Sequence, residues 1–422
     1  MLTRVKGVIR EFPGPFWTLM GGTFIDHLGS AMLFTFFALY ITEKFDVGMT
    51  TVGTVFAVYS IVAFFGSTVS GALTDKFGRR SMIIFGMLAS ALSSLVMPFI
   101  NDLSVFYMVT AVVGLLATVG GPARQAMIAD LLPEEKRAEG YGIHRVTFNL
   151  SAAIGPAIGG ILASISYSLL FYMDAVTSVF MAALIFFKIP ETKPELAEGQ
   201  EEETILQSVG GYREVFKDGI FMAFIGVCIL MVLVYFQMNS TLSVYLRDVH
   251  QIALEQFGAI ISLNAGMVVV MQFWITRMLS GQKPMIMMAA GMALYAIGFA
   301  MYGFIGGSYV FAMAMVAMVV ITIGEMIIAP FQQVIVAKLA PEHMRGRYMA
   351  IFGISWGIPT AFAPLLAGVI MDNYDPRWVW WGVGIIGIVA TLGFWRLHFR
   401  AEDRMAEIDA SAADAASEAA TV

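Results

Sequence analysis

The sequence predicts an all-α polytopic membrane protein, with twelve transmembrane helices in two six-helix, pseudo-symmetric bundles. Three observations carry that prediction. Apolar runs of about 20 residues, enough to cross a ~30 Å hydrocarbon core, recur along nearly the whole chain. Lysine and arginine gather on alternate connections, as a fixed membrane orientation requires. The two halves of the chain also match each other at residue types that chance seldom pairs.

Composition sets the outer bounds. The 422 residues are 58% hydrophobic and 13% charged, with a mean hydropathy of +0.77, too apolar for an ordinary soluble protein. The net charge of −6 comes largely from a central connection and the tail, so it points to no nucleic-acid partner. Cys228 is the only cysteine, which excludes an intramolecular disulfide and a cysteine-based metal cluster. The five histidines show no ligand spacing, and no metal site is expected. No phosphate-cradling Gly-x-x-x-x-Gly-Lys-Ser/Thr loop occurs, so ATP is not the expected energy source, and no cofactor is expected. No Ser/His/Asp constellation clusters on one face, and the chain does not read as an enzyme.

Residues 1–15 carry Arg4, Lys6 and Arg10 and end at Pro13 and Pro15, which suggests a short cytoplasmic interfacial segment. The first apolar run is too long for a signal-peptide core and is read as span 1. The predicted spans are residues 16–41, 51–75, 81–100, 105–131, 140–164 and 169–188, a first bundle over 16–188. They continue as 219–246, 256–279, 284–304, 309–339, 347–370 and 377–397, a second bundle over 218–398. Only Lys44, Arg247 and Arg377 fall on one side, so both termini and the central connection are expected in the cytoplasm. The expected location is the plasma (inner) membrane. Residues 189–217, with Glu191, Glu195, Glu198, Glu201, Glu202 and Glu203, read as an acidic linker. Residues 399–422 read as a disordered tail. Trp378, Trp380 and Trp381 read as an interfacial belt at the start of span 12.

The halves repeat. At a shift of 208, Pro122 meets Pro330, Gln125 meets Gln333, Arg137 meets Arg345, Pro156 meets Pro364 and Gly160 meets Gly368. Two repeats in the same membrane orientation are the arrangement of transporters whose halves rock about a central site.

The connection between spans 2 and 3 reads Gly71-Ala72-Leu73-Thr74-Asp75-Lys76-Phe77-Gly78-Arg79-Arg80. Asp75 closes one helix, while Arg79 and Arg80 open the next, each against its own helix dipole. Such charges are expected to act as a latch on other helix ends, with Asp75 on the start of span 11 near Arg347 and Tyr348. The stretch resembles the signature loop of the major facilitator superfamily, matched at Gly71, Asp75, Lys76, Gly78, Arg79 and Arg80. Span 5 holds Gly155-Pro156-Ala157-Ile158-Gly159-Gly160, similar to the Gly-Pro-x-x-Gly-Gly motif of proton-coupled exporters in that superfamily. Its other reading is a small-residue packing face kinked by proline. Together the motifs resemble the twelve-helix drug:proton antiporters. Exporters of this type commonly carry an arginine in the first half of span 4; here that stretch is uncharged, and Arg124 and Arg145 lie nearer helix ends.

Ionisable residues deep in a span are expensive and normally face a cavity or a partner. Asp26 in span 1 and Glu325 in span 10 are the candidates for proton coupling, and Glu325 resembles the span 10 acid of some multidrug exporters. The alternative for each is a structural hydrogen bond between helices. Asp174 in span 6 divides evenly between the two readings. Asn149, Arg145, Gln237, Asn239, Asn264 and Gln272 could line a cavity or act as packing glue. The 30 methionines and 33 phenylalanines suit an adaptable apolar pocket. The resemblance implies a monomeric proton-coupled exporter of lipophilic or cationic small molecules, with protons and membrane lipid as its other partners. The alternative is a transporter of one specific solute such as a sugar, siderophore or lipid, with import as one of its directions.

Overall fold

A computed structural model describes residues 11–193, 213–341 and 344–419. Among these residues there is no strand, and twelve helices are long and apolar enough to cross a membrane. In order they are Gly14–Phe45, Met49–Phe77, Arg79–Val96, a fourth made of Leu103–Ala117 and Gly120–Leu131, Glu134–Ile165, Tyr167–Lys188, Gly219–Ser240, Leu254–Met278, Pro284–Tyr302, Val310–Leu339, Arg345–Asn373 and Arg377–Ala419. A short helix, Leu242–His250, continues span 7. Span 4 breaks where Pro122 lacks the amide that would reach the Thr118 carbonyl; the Gly121 amide takes that oxygen instead, at 3.2 Å.

The packing units cut across the sequence halves. One compact unit joins Met1–Glu198 to Met238–Val270 and Pro364–Asn373; the other joins Gly199–Gln237, Met271–Ala363 and Tyr374–Val422. The first unit is therefore more than spans 1–6, because parts of spans 7, 8 and 11 pack into it at the end where span 1 finishes and span 2 starts. Its core at the other end is rich in methionine, with Met20, Met82, Met87, Met127 and Met181 around Phe16 and Ile83. In the second unit Trp380 is fully buried against Phe299 and Tyr302, so it belongs to the core and not to an interfacial belt; Trp378 is exposed.

The connection between spans 2 and 3 shrinks to one residue, Gly78, at φ +91°. A Cβ there would lie 2.3 Å from the Glu191 carboxylate, so glycine is required by conformation and by space. Glu191 accepts from the amides of Arg79 (2.8 Å) and Arg80 (3.2 Å), capping span 3 with an acid from the stretch read as a loose linker. Arg79 pairs with Asp130 at the end of span 4 (3.1 Å). Arg80 donates to the Phe186 carbonyl near the end of span 6 and lies over the Phe186 ring, 5.0 Å from its centroid. Both arginines thus tie spans 3, 4 and 6 of one unit together. The side chain of Asp75, and Gly71 with it, lie outside the described residues, as does most of the acidic linker.

The last helix runs on to Ala419 where a disordered tail from residue 399 was expected. Alanine and glutamate are strong helix formers even where nothing apolar packs. The start of this extension is clamped. Arg404 meets Asp218 with two bonds of 2.8 Å, while the Tyr348 hydroxyl and the Phe221 amide donate to the same carboxylate at 2.8 and 3.1 Å. Arg404 also donates to the Leu339 carbonyl at 3.1 Å, so the clamp joins spans 7, 10, 11 and 12. Partial burial pushes the Asp218 carboxyl up, but the Arg404, Phe221 and Tyr348 bonds outweigh it and hold it below the usual range. A depressed carboxyl stabilises the fold above its unfolded value and loses that contribution as pH falls through the folded one. Arg404→Gln should therefore lower the melting temperature in detergent at neutral pH, by an amount that shrinks as pH drops below the ordinary aspartate range of about 4. A deficit of constant size across that range would remove Asp218 from the clamp.

Candidate transport site

Span 1 and span 6 run antiparallel, and each carries an aspartate and a serine four residues apart on one face: Asp26 with Ser30, and Asp174 with Ser178. The pairs cross-bond. Ser178 donates to Asp26 Oδ1 at 3.0 Å, and Ser30 donates to Asp174 Oδ1 at 3.0 Å. Close approach comes from Gly29, whose Cβ would fall 2.1 Å from the Thr177 hydroxyl and 3.0 Å from the Asp174 Cα. Each carboxylate then has one oxygen left. Asp26 Oδ2 accepts from Arg124 Nη2 at 3.0 Å, and Asp174 Oδ2 accepts from Ser94 of span 3 at 2.6 Å. Asp26, Arg124 and Asp174 are 4%, 7% and 3% exposed, so this is an interior polar network.

Arg124 also lies 3.1 Å from His27 Nε2. A guanidinium only donates, so this nitrogen accepts and the His27 proton is on Nδ1. The His27 ring meets Phe148 edge-on at 4.9 Å and lies 6.3 Å from the His144 ring. Spans 4 and 6 thereby converge on Asp26 of span 1, with Arg124 supplying the opposite charge.

In the second unit Glu325 sits half-buried among aromatic rings. The Tyr235 hydroxyl donates to its Oε1 at 3.3 Å. Tyr235 stacks on the buried Tyr295 at 5.9 Å and meets the Trp356 ring edge-on at 6.0 Å. Spans 7, 9, 10 and 11 each contribute one member. Gly324 lets span 10 reach span 9, since its Cβ would lie 2.7 Å from the Gly291 carbonyl oxygen. A carboxylate beside a cluster of aromatic rings suits an organic cation, which rings attract by their quadrupole and the acid by charge.

The other candidates divide. Gln237, 1% exposed, donates to the Ala363 carbonyl at 3.1 Å, and Gln272 donates to the Met326 carbonyl at 3.0 Å; both join helices. Asn264 is buried, Asn149 and Asn239 are half-buried, and Arg145 is exposed. In the span 5 motif, Gly155 and Gly159 face span 1, where their Cβ atoms would meet Ala31 at 2.7 Å and Phe36 at 3.0 Å. Gly160 faces span 8, 2.8 Å from the Leu254 carbonyl oxygen, and a Cβ on Gly258 would lie 2.5 Å from the Pro156 oxygen. Packing on two helices accounts for all four motif positions.

Arg124 is the residue that sequence reasoning passed over, having placed it near a helix end. The usable signal was its solitude as the one basic residue in span 4. Breaking a buried pair by removing one partner costs about 3–5 kcal/mol, because the other charge is left uncompensated. Asp26→Asn and Arg124→Gln should each destabilise by that order, and the double variant by less than the sum. Thermal unfolding of the full cycle in detergent measures the coupling; additive losses would mean that the two residues do not act as a pair.

Comparison with known proteins matches the chain to the Major Facilitator Superfamily over residues 19–358 and 281–420. A Na(+), Li(+), K(+)/H(+) antiporter of Planococcus maritimus is 27% identical, covering 92% of this chain and 96% of that protein. Multidrug resistance protein 1 of Bacillus subtilis is 27% identical, over 49% of this chain and 52% of that protein. A solved POT family transporter superposes with a TM-score of 0.76 at 14% identity, covering 92% of this chain and 96% of that one, which speaks for the fold. Twelve apolar helices, an interior acid network and a family match across most of the chain lead to one assignment: the chain belongs to the Major Facilitator Superfamily.

Proposed function

We propose that this chain is a proton-coupled antiporter that exports lipophilic and cationic small molecules by rocking-bundle alternating access, with its termini in the cytoplasm. The observation that carries the reading is Glu325 among Tyr235, Tyr295 and Trp356. A carboxylate in that setting exchanges one cation for another: a proton in the absence of substrate, and an organic cation when one arrives. Relatives named for cation/proton antiport and for multidrug resistance support both halves of the reading. A potential of about 100 mV gives roughly 2.3 kcal/mol per charge and one pH unit about 1.4, together a gradient of several hundred-fold per proton.

Asp26 is the second carrier in this reading. Protonating it would leave Arg124 as a buried unpaired charge, so Asp26 takes a proton only as Arg124 shifts its donors, with His27 Nε2 as the acceptor already in reach. A second reading is exchange of inorganic monovalent cations, favoured by the Planococcus relative and by the hydroxyls of Ser30, Ser94 and Ser178 around the two aspartates.

The test is efflux driven by an imposed pH gradient in proteoliposomes, with lipophilic cations, neutral drugs, Na⁺ and K⁺ as the panel. Glu325→Gln should abolish gradient-driven efflux of organic cations and spare exchange of neutral compounds. Wild-type pH dependence in that variant would make Glu325 structural. Transport of Na⁺ or K⁺ alone would favour the second reading.

A further inference from the structure

Span 2 begins without a cap of its own. Gly48 precedes it, and no acidic residue lies in its first turn, so its leading amides need an outside acceptor. That acceptor comes from the end of span 11. Asp372 takes the Met49 amide on Oδ1 at 2.9 Å and the Thr50 amide on Oδ2 at 2.8 Å. The carboxylate lies in the last turn of its own helix, where the dipole disfavours a negative charge, and at the first turn of span 2, where the dipole favours one. Asp372 thus gains from span 2 what its own helix denies it, and only while the two helix ends touch.

The surrounding backbone is built for that touch. A Cβ on Gly48 would fall 2.4 Å from Asp372 Oδ2, so only glycine admits the carboxylate. One on Gly53 would fall 2.3 Å from the Leu365 Cα, and one on Gly368 would fall 2.4 Å from the Met49 carbonyl. The seam between spans 2 and 11 is therefore backbone against backbone, ending in a charge on a helix terminus. Span 5 meets span 8 at Gly160 and Gly258 in the same unit, and Arg247 donates to the Thr42 hydroxyl at 2.9 Å at the end of span 1. This end of the unit is shut along three seams.

We infer that Asp372 is a positioning residue for the transport cycle: its carboxylate clasps the start of span 2 when this end of the unit is closed. Loss of the clasp shifts the protein toward the state open at that end. The inference rests on the transport reading for its purpose, but the clasp is measured without substrate or proton gradient, so either can fail alone.

Cys228 is the only cysteine and is buried, so Cys228→Ala gives a cysteine-free background. A probe cysteine in place of Leu365, which lies against Gly53, reports opening through its rate of maleimide labelling in detergent. Asp372→Asn keeps the shape and removes the charge; it should label roughly 5-fold faster or more, the factor that about 1 kcal/mol of capping makes. Asp372→Glu should restore slow labelling. Asp375→Asn, which alters a nearby acid that accepts from the Arg377 amide at 2.9 Å, should leave the rate unchanged. Equal rates in Asp372→Asn and its parent would overturn the inference. So would an equal rise in Asp375→Asn, which would reduce the effect to surface charge. Melting temperatures taken alongside exclude global loosening: faster labelling must occur below the unfolding transition of each variant.

Discussion

A charge held inside an apolar bundle must be answered by another charge or by dense hydrogen bonding, and the crossing of spans 1 and 6 does both within two helical turns. Asp26 has a guanidinium and a serine; Asp174 has two serines. Removing a lone carboxylate from water would oppose folding by several kcal/mol. The arrangement of spans 1, 3, 4 and 6 follows from meeting that demand. Gly29 brings the helices close enough for serine hydroxyls to reach across, Ser94 fixes span 3, and Arg124 fixes span 4. The second unit handles its acid differently, with a tyrosine hydroxyl on Glu325 and the rings of Tyr295 and Trp356 packed on that tyrosine. The contrast is one of setting: Asp26 is embedded in an ion pair, and Glu325 lies beside aromatic rings.

The sequence made the twelve spans legible because length and apolarity are counted directly along the chain. Asp26 and Glu325 were legible for the same reason, since an acid at mid-span stands out whatever its rotation about the helix axis. The partner of Asp26 was not. Which residue faces which depends on helix phase, and the break at Thr118–Val119 resets the phase of span 4 ahead of Arg124. The cross-bonded pairs were readable in principle. In antiparallel helices facing positions have a constant sum, and 26 with 178 and 30 with 174 both give 204. The caps by Glu191 and Asp372 were hidden because each acid lies far in sequence from the amides it accepts, by 112 and 323 residues.

The same logic of shared helix ends runs through the ordered loops. Glu191 caps span 3, Asp218 caps span 7 while gripping Arg404, and Asp372 caps span 2. Glu191 and Asp372 lie at or beyond the end of one helix and satisfy the start of another, while Asp218 caps its own helix and binds Arg404 and Tyr348 of two others, so caps double as ties between helices. In a membrane protein, where apolar burial against lipid gives little drive for helix association, such polar ties and glycine contacts set which helices meet.

The most direct test of the account is whether binding a cation displaces a proton from Glu325. Purified protein in weakly buffered detergent, mixed with a lipophilic cation and a pH indicator, reads this without vesicles or gradients. The account predicts proton release by the wild-type chain and none by Glu325→Gln. Equal release from both would contradict it.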